Sequence, residues 1–253
     1  MKRYFTLSLM TLACVLPLSL TPCVEAADDI KAAIQAERIV KGVRLASTLQ
    51  NNDLNGHLRK KGKRTPIGLF LRGENIQFQY QENKVWQVYH MRLKQNQFDL
   101  FQIRNGKNVA FPKEKLGQPI MNSDLTYEDL AFRFLYWPNP KIVGQQKIKL
   151  QPCHKIRLEN PGSGGRYDIV YIWVHQKYNA LMQVVGYDKK GKILKKFHVT
   201  DLMDVDGGKG KTLKKMNVET YNPTTGKVTG ISYLEFKEPK PAARKGLGGP
   251  PKR

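Results

Sequence analysis

The hydrophobic and polar positions from Tyr167 to Phe236 read as an antiparallel meander with its turns written in. Tyr167–His175 is apolar at nearly every position, which predicts a strand covered on both faces. Leu181–Tyr187, Ile193–Val199, Leu213–Tyr221 and Val228–Phe236 follow as four further strands. Turn chemistry separates them: Gln176–Asn179, then Asp188-Lys189-Lys190-Gly191, then Asn222-Pro223-Thr224-Thr225-Gly226. Connections this short exclude a parallel sheet, whose crossovers need about a dozen residues or more. The segment is predicted to be part of a large antiparallel sheet.

A second meander precedes it. Ile67–Arg72, Asn75–Gln81, Lys84–Leu93 and Gln97–Arg104 read as strands. Ile76, Phe78 and Tyr80 alternate with Gln77, Gln79 and Gln81, a half-buried strand whose pattern fixes its register. The same period groups Ile67 with Leu69 and Leu71, and Val85 with Tyr89, Met91 and Leu93. Gln145–Leu150 and Cys153–Glu159 add two strands, giving about eleven. His57–Thr65 is a basic stretch that reads as a solvated edge strand or a hairpin.

Two segments carry a helical pattern. Asp28-Asp29 opens one that runs to about Leu49, with Ile30, Ala33, Ile34, Val40, Val43 and Leu45 on its apolar face and Asn51-Asn52 able to end it. The other starts in Asn122–Leu130, where Ser123, Asp124 or Thr126 can cap. It carries Leu130, Phe132, Phe134, Leu135 and Tyr136 and stops at Trp137-Pro138-Asn139-Pro140.

Targeting comes next. Met1-Lys2-Arg3 is basic, Phe5–Leu20 is apolar, and Val24-Glu25-Ala26 fits a small-x-small cleavage site. Residues 1–26 are therefore expected to be a removable secretory signal, and the protein to be exported to the periplasm. The competing readings are an uncleaved anchor, for which the run is shorter than the roughly 20 residues a span needs, and lipidation at Cys14 or Cys23. Removal of the signal leaves Cys153 as the one cysteine, so the fold has to rest on its core. Residues 27–237 form one domain, and from 238 to 253 the Pro/Gly/basic composition predicts a disordered tail.

The formal charge is +22, and removing Lys2, Arg3 and Glu25 leaves +21. A field of this sign favours an anionic membrane surface, or is simply a solvated basic surface. Export argues against nucleic acid.

Catalytic patterns are weak. Gly210-Lys211-Thr212 ends like a phosphate-binding loop, but the leading glycine that loop requires is Val205. His57, His90, His154, His175 and His198 show no metal spacing. Cys153 and His154 are neighbours in a strand and so point to opposite faces. Gly162-Ser163-Gly164 lacks the strand–elbow–helix context of a hydrolase. No enzyme, no cofactor and no metal is expected.

The order of elements resembles the outer-membrane lipoprotein-sorting protein family, proteins like the periplasmic carrier LolA. The residues carrying the resemblance are Asn122–Leu130, Tyr171-Ile172-Trp173-Val174, Tyr187-Asp188 with Gly191–Lys195, and Lys215-Met216-Asn217-Val218. It covers about Ile30 to Phe236, within a longer and more basic chain than the founding carriers. The resemblance implies an incomplete antiparallel β-barrel with helices covering an apolar cavity, in a mainly β protein, and a carrier or sensor for lipid or lipidated protein. An inner- or outer-membrane transport partner and a monomer would go with that role. The alternative is an envelope scaffold whose cavity is filled by side chains and whose basic face meets a membrane or a partner. Phe78, Tyr80, Tyr89, Met91, Trp173 and the cluster Phe132, Phe134 and Leu135 are the cavity and lid candidates, with Tyr127–Tyr136 as the lid.

Overall fold

The structure, a computed structural model, describes residues 23–48, 53–72, 75–94, 97–162, 164–205 and 210–238. Most of the expected signal segment, Ser163, Gly207-Gly208-Lys209 and the tail beyond Glu238 lie outside the described residues.

The thirteen strands among the described residues belong to one antiparallel sheet. They are β1 (Asp53–Lys60), β2 (Lys63–Arg72), β3 (Asn75–Glu82), β4 (Val85–Lys94), β5 (Gln97–Arg104), β6 (Lys107–Ala110), β7 (Lys141–Ile148), β8 (Gln151–Glu159), β9 (Ile169–His175), β10 (Leu181–Tyr187), β11 (Ile193–Val205), β12 (Gly210–Tyr221) and β13 (Val228–Phe236). Their spatial order is β6-β5-β4-β3-β2-β1-β13-β12-β11-β10-β9-β8-β7. Two sequential meanders are thus stitched together where β1 meets β13, and the sheet stays open because β6 and β7 do not pair. The count exceeds the expected eleven because the basic stretch supplies β1 and the start of β2, and because Asn105-Gly106 turns the chain back into β6. Lys61-Gly62, Asn83-Lys84, Asn105-Gly106 and Lys149-Leu150 all have both residues at positive φ, the backbone of two-residue hairpin loops that match strand twist. Lys149-Leu150 therefore ends β7 at Ile148, two residues before the expected boundary.

The expected turns form as their chemistry requires. Asp188 Oδ1 accepts from the N–H groups of Lys190 and Lys192 at 2.9 and 2.8 Å. Asn222 Oδ1 accepts from those of Thr224 and Thr225 at 2.8 and 3.0 Å.

One face of the sheet carries the main core. Ile67, Leu71, Ile76, Phe78, Tyr80, Tyr89 and Met91 contribute from β2–β4, and Val170, Ile172, Val174, Val184, Phe197 and Val218 from the other meander. β9 is covered on both sides as its composition predicts: Ile172 and Val174 join the main core, while Trp173 joins Cys153, Met182, Val185 and Ile148 in a smaller cluster.

Helix α1 (Cys23–Thr48) packs against β7 and β2 and so reaches from one edge strand to the opposite meander. It is about 39 Å long at 1.5 Å per residue. Ala36, Ile39, Val40 and Val43 are its buried stripe. Ile30, Ile34 and Leu45 point outward, which corrects the expected face: Ile30 and Ile34 each precede a buried stripe residue by six positions and fall on the far side of a 3.6-residue helix.

The second expected helix is not an α-helix. Glu128–Ala131 and Arg133–Tyr136 are two 3-10 turns, separated by Phe132 at φ 43° in the left-handed region. The start is capped: the Asp129 carboxylate accepts from Thr126 N–H at 2.8 Å and Thr126 Oγ1 at 2.7 Å, as at a helix N-terminus, but the chain leaves the right-handed helical region at Phe132 and no continuous ladder forms.

Candidate functional site

Because β6 and β7 are opposite edges, the chain between them has to cross the whole sheet. Residues 111–140 do this over the core face, forming a strap that is the molecule's second covering element. Ile120 N–H donates to Leu125 O at 2.7 Å and Glu128 N–H to Leu116 O at 2.9 Å, which folds the strap on itself.

The strap is held by buried polar anchors supplied by the segment Ser123–Asp129. Asp124 accepts from Ser232 Oγ of β13 at 2.7 Å and from Lys60 Nζ of β1 at 3.0 Å, and its own N–H donates to Ser232 Oγ at 2.8 Å. Gly230 makes room for that carboxylate, since a Cβ there would stand 2.3 Å from Asp124 Oδ1. The Tyr127 hydroxyl meets those of Tyr80 at 3.0 Å and Tyr89 at 3.2 Å, and these two are 3.2 Å apart. Burial, then the Tyr127 hydroxyl, pushes the Tyr80 and Tyr89 hydroxyls far above the usual phenol range.

Asp129 is the deepest anchor. Lys195 Nζ lies 2.5 Å from its Oδ2, with both side chains 1% exposed, and Tyr167 donates to Oδ1 at 2.8 Å. Together with the two bonds from Thr126, this satisfies the carboxylate fully, the condition under which a buried charge is tolerated. Burial and the Asp129 charge raise Tyr167 well above its ordinary range, so it is a fixed donor. Glu128 is raised by burial and by the Asp129 charge, partly offset by the Arg166 N–H at 3.3 Å. Tyr167 sits in the close space over Gly186, where a Cβ would stand 2.4 Å from its ring.

Beyond these anchors the strap's far side borders an apolar cleft of about 220 Å³. Leu130, Phe132 and Leu135 form its strap wall, Val43 its helix wall, and Leu54, Leu69, Leu71 and Ile76 line it from β1–β3. Val199, Leu202, Leu213 and Met216 close it from β11 and β12, with Tyr178, Asn179, Lys211 and Thr212 as its polar members. Lys211 is paired with Asp204 at 2.6 Å. Ligand pockets are generally about 300–1,000 Å³, so this space suits a slender apolar group.

Of the sequence-derived cavity and lid candidates, Phe132 and Leu135 line the cleft. Phe78, Tyr80, Tyr89 and Met91 are buried in the main core beneath the strap, away from the cleft walls. Phe134 is buried beside Phe132 and edge-on to Trp137 at 6.5 Å. Trp173 faces the opposite side of the sheet, where its Nε1 donates to Gln146 Oε1 at 2.9 Å and Lys155 Nζ lies 5.3 Å from its ring. Sequence reading passed over the other cleft members, Val43, Leu54, Leu202, Leu213 and Met216 among them. Leu202 lies where the expected third strand had already ended at Val199, whereas β11 continues to Val205.

Gly210-Lys211-Thr212 opens strand β12 instead of leading a helix. Cys153 is buried and its thiol is pushed up by desolvation. Among the described residues no group of three or more His, Cys, Asp or Glu side chains could hold a metal ion, and no helix is long and apolar enough to cross a membrane.

Residues 89–243, more than half of the chain, match the model of a family described as an uncharacterized protein. The chain belongs to this uncharacterized-protein family. No curated protein matches it. Among solved structures, a DUF1329 family protein from Desulfovibrio piger is similar at TM-score 0.64 and 14% identity, over 81% of this chain and 91% of that one. A putative outer membrane lipoprotein-sorting protein domain from Vibrio parahaemolyticus is similar at TM-score 0.64 and 16% identity, over 81% and 92%. A LolA superfamily protein from Nitrosomonas europaea follows at TM-score 0.58 and 14% identity, over 80% and 91%. At these identities the shared property is the fold: this family member has the open antiparallel sheet of the LolA-like, lipoprotein-sorting proteins.

Proposed function

We propose that this protein is a periplasmic carrier or sensor that takes a lipid chain, or an acyl chain of a lipoprotein, into the cleft between α1, the strap and β11–β12. The observation that carries the reading is the contrast in lining: the cleft is walled almost entirely by aliphatic and aromatic side chains in a protein with a charge of +22. Each methylene moved from water into such a space gains about 0.8 kcal/mol, so even a partly inserted chain is held. The fold shared with a putative lipoprotein-sorting domain supports the same class of ligand. Release would follow from a partner or membrane competing for the chain, and the basic surface favours an anionic membrane as that acceptor.

A fluorescent fatty-acid probe tests this. The wild-type chain should bind the probe, and Leu213→Trp, which fills the cleft from its half-buried β12 wall, should abolish binding while leaving the melting temperature nearly unchanged. Failure of the wild-type chain to bind any apolar probe would remove the carrier reading in favour of a scaffold.

A further inference from the structure

The turn Met121–Ser123 of the strap borders a second cavity with the reverse chemistry. It measures about 320 Å³ and lies between the β1–β2 hairpin and the strap turn Met121-Asn122-Ser123. Lys60, Lys61 and Lys63 line it, together with Thr65. The apolar remainder comes from Leu58 and Met121. The geometry points to a binding pocket for a phosphate group carrying a small organic substituent, distinct from the apolar cleft.

Three observations support this. First, the charge is organised. Lys60 is fixed by its ion pair to Asp124, which is itself held by Ser232, whereas Lys61 and Lys63 flank Gly62 at the hairpin tip and are exposed. Three lysines line the cavity and one of them is paired with a carboxylate, leaving a surplus of two positive charges. A phosphate monoester carries about −1.5 to −2 at neutral pH, so the charges match. Lysine ammoniums suit this ligand because each offers three rotatable donors to phosphate oxygens.

Second, the pocket wall is backbone that does not relax. Met121 (φ 52°) and Asn122 (φ 56°) occupy the left-handed region in succession, and a methionine rarely goes there. Such conformations persist where surrounding structure over-determines them, and they concentrate at ligand sites. Here the Asp124 anchor on one side and the Ile120–Leu125 hydrogen bond on the other impose the turn.

Third, the lining is mixed. Leu58 is 3% exposed and Met121 half-buried, so the site offers an apolar wall beside its cations. A bare ion would use only the cations, whereas a glycerophosphate or a phospholipid headgroup would use both.

The test uses calorimetry with sn-glycerol 3-phosphate and with inorganic phosphate at low ionic strength. Two double variants are compared, Lys61→Ala/Lys63→Ala in the pocket and Lys189→Ala/Lys190→Ala on the exposed β10–β11 turn, which remove equal charge. The pocket variant should bind glycerol 3-phosphate about tenfold more weakly or worse, and the turn variant should match wild type. Flotation with phosphatidylglycerol against phosphatidylcholine vesicles separates the sources. Loss of phosphatidylglycerol flotation in the pocket variant alone supports a lipid headgroup, and tight binding of glycerol 3-phosphate without it supports a soluble phosphate ester. Wild type that binds neither soluble phosphate nor phosphatidylglycerol vesicles, or equal loss in both variants, overturns the proposal. The fatty-acid probe should bind the pocket variant normally, so this result and the test of the apolar cleft fail independently.

Discussion

Two adjoining stretches of the strap are built on opposite principles. From Ser123 to Asp129 nearly every side chain has a buried partner, and the polar ones are saturated by Ser232, Lys60, Thr126, Tyr167 and Lys195. From Leu130 to Leu135 the chain is apolar except at Arg133, is interrupted by a left-handed residue, and borders unfilled space through Leu130, Phe132 and Leu135. Hydrogen bonds and ion pairs demand fixed distances, so the first part has one arrangement. Apolar contacts are non-directional, so the second can accept a guest without losing a specific bond. The comparison places rigidity and adaptability next to each other on one connection.

The sharpest way to break this contrast is Lys195→Met. It leaves the Asp129 carboxylate buried without its counter-charge, and stability should fall by about 3–5 kcal/mol in denaturant unfolding. Adding Asp129→Leu should recover only part of that, because Thr126 and Tyr167 would lose their acceptor. A double variant as stable as wild type would show that the ion pair is dispensable to the strap.

A smaller loss is expected for Tyr127→Phe. It removes the hydroxyl shared by Tyr80 and Tyr89 but leaves those two within reach of each other, so the low end of about 1–3 kcal/mol applies. Leu213→Ala, on the cleft side, should cost less than the about 2–5 kcal/mol usual for a buried leucine, since part of its surface already borders empty space. A full core-sized loss there would mean that the cleft is closed in solution.

The smallest effect concerns protons. The folded state raises the Glu128 carboxyl, so it favours the protonated form relative to the unfolded chain. The associated stability is present below the ordinary glutamate range near about 4.3 and is lost as pH rises through the folded value. Glu128→Gln should therefore melt slightly higher than wild type at neutral pH, and the gap should close on acidification below pH of about 4.

Legibility in the sequence followed the range of the interactions. The alternation of Ile76, Phe78 and Tyr80 with glutamines gave β3 and its core face, and the Asp188 and Asn222 turns formed as written, because both depend on neighbours a few residues apart. The helical reading of Tyr127–Tyr136 failed because the chain turns into the left-handed region at Phe132, a break that apolar spacing does not reveal. The outward face of Ile30 and Ile34 shows that a set of apolar residues in a helix does not by itself define one stripe. The cleft draws on α1, β1–β3, the strap and β10–β12, so its membership is a property of the assembled sheet. The partner of Asp129 lies 66 residues away and no local pattern announces it.

An open sheet has two rims, and each could template a neighbouring molecule. Here β6 is four residues long, and β7 has a register break between Ile142 and Gly144 with Lys141, Gln145, Gln146 and Lys147 exposed along it. A short rim and a bent, charged one offer no straight row of amides for another chain to extend. The molecule can thus leave its sheet unclosed without growing into a fibre.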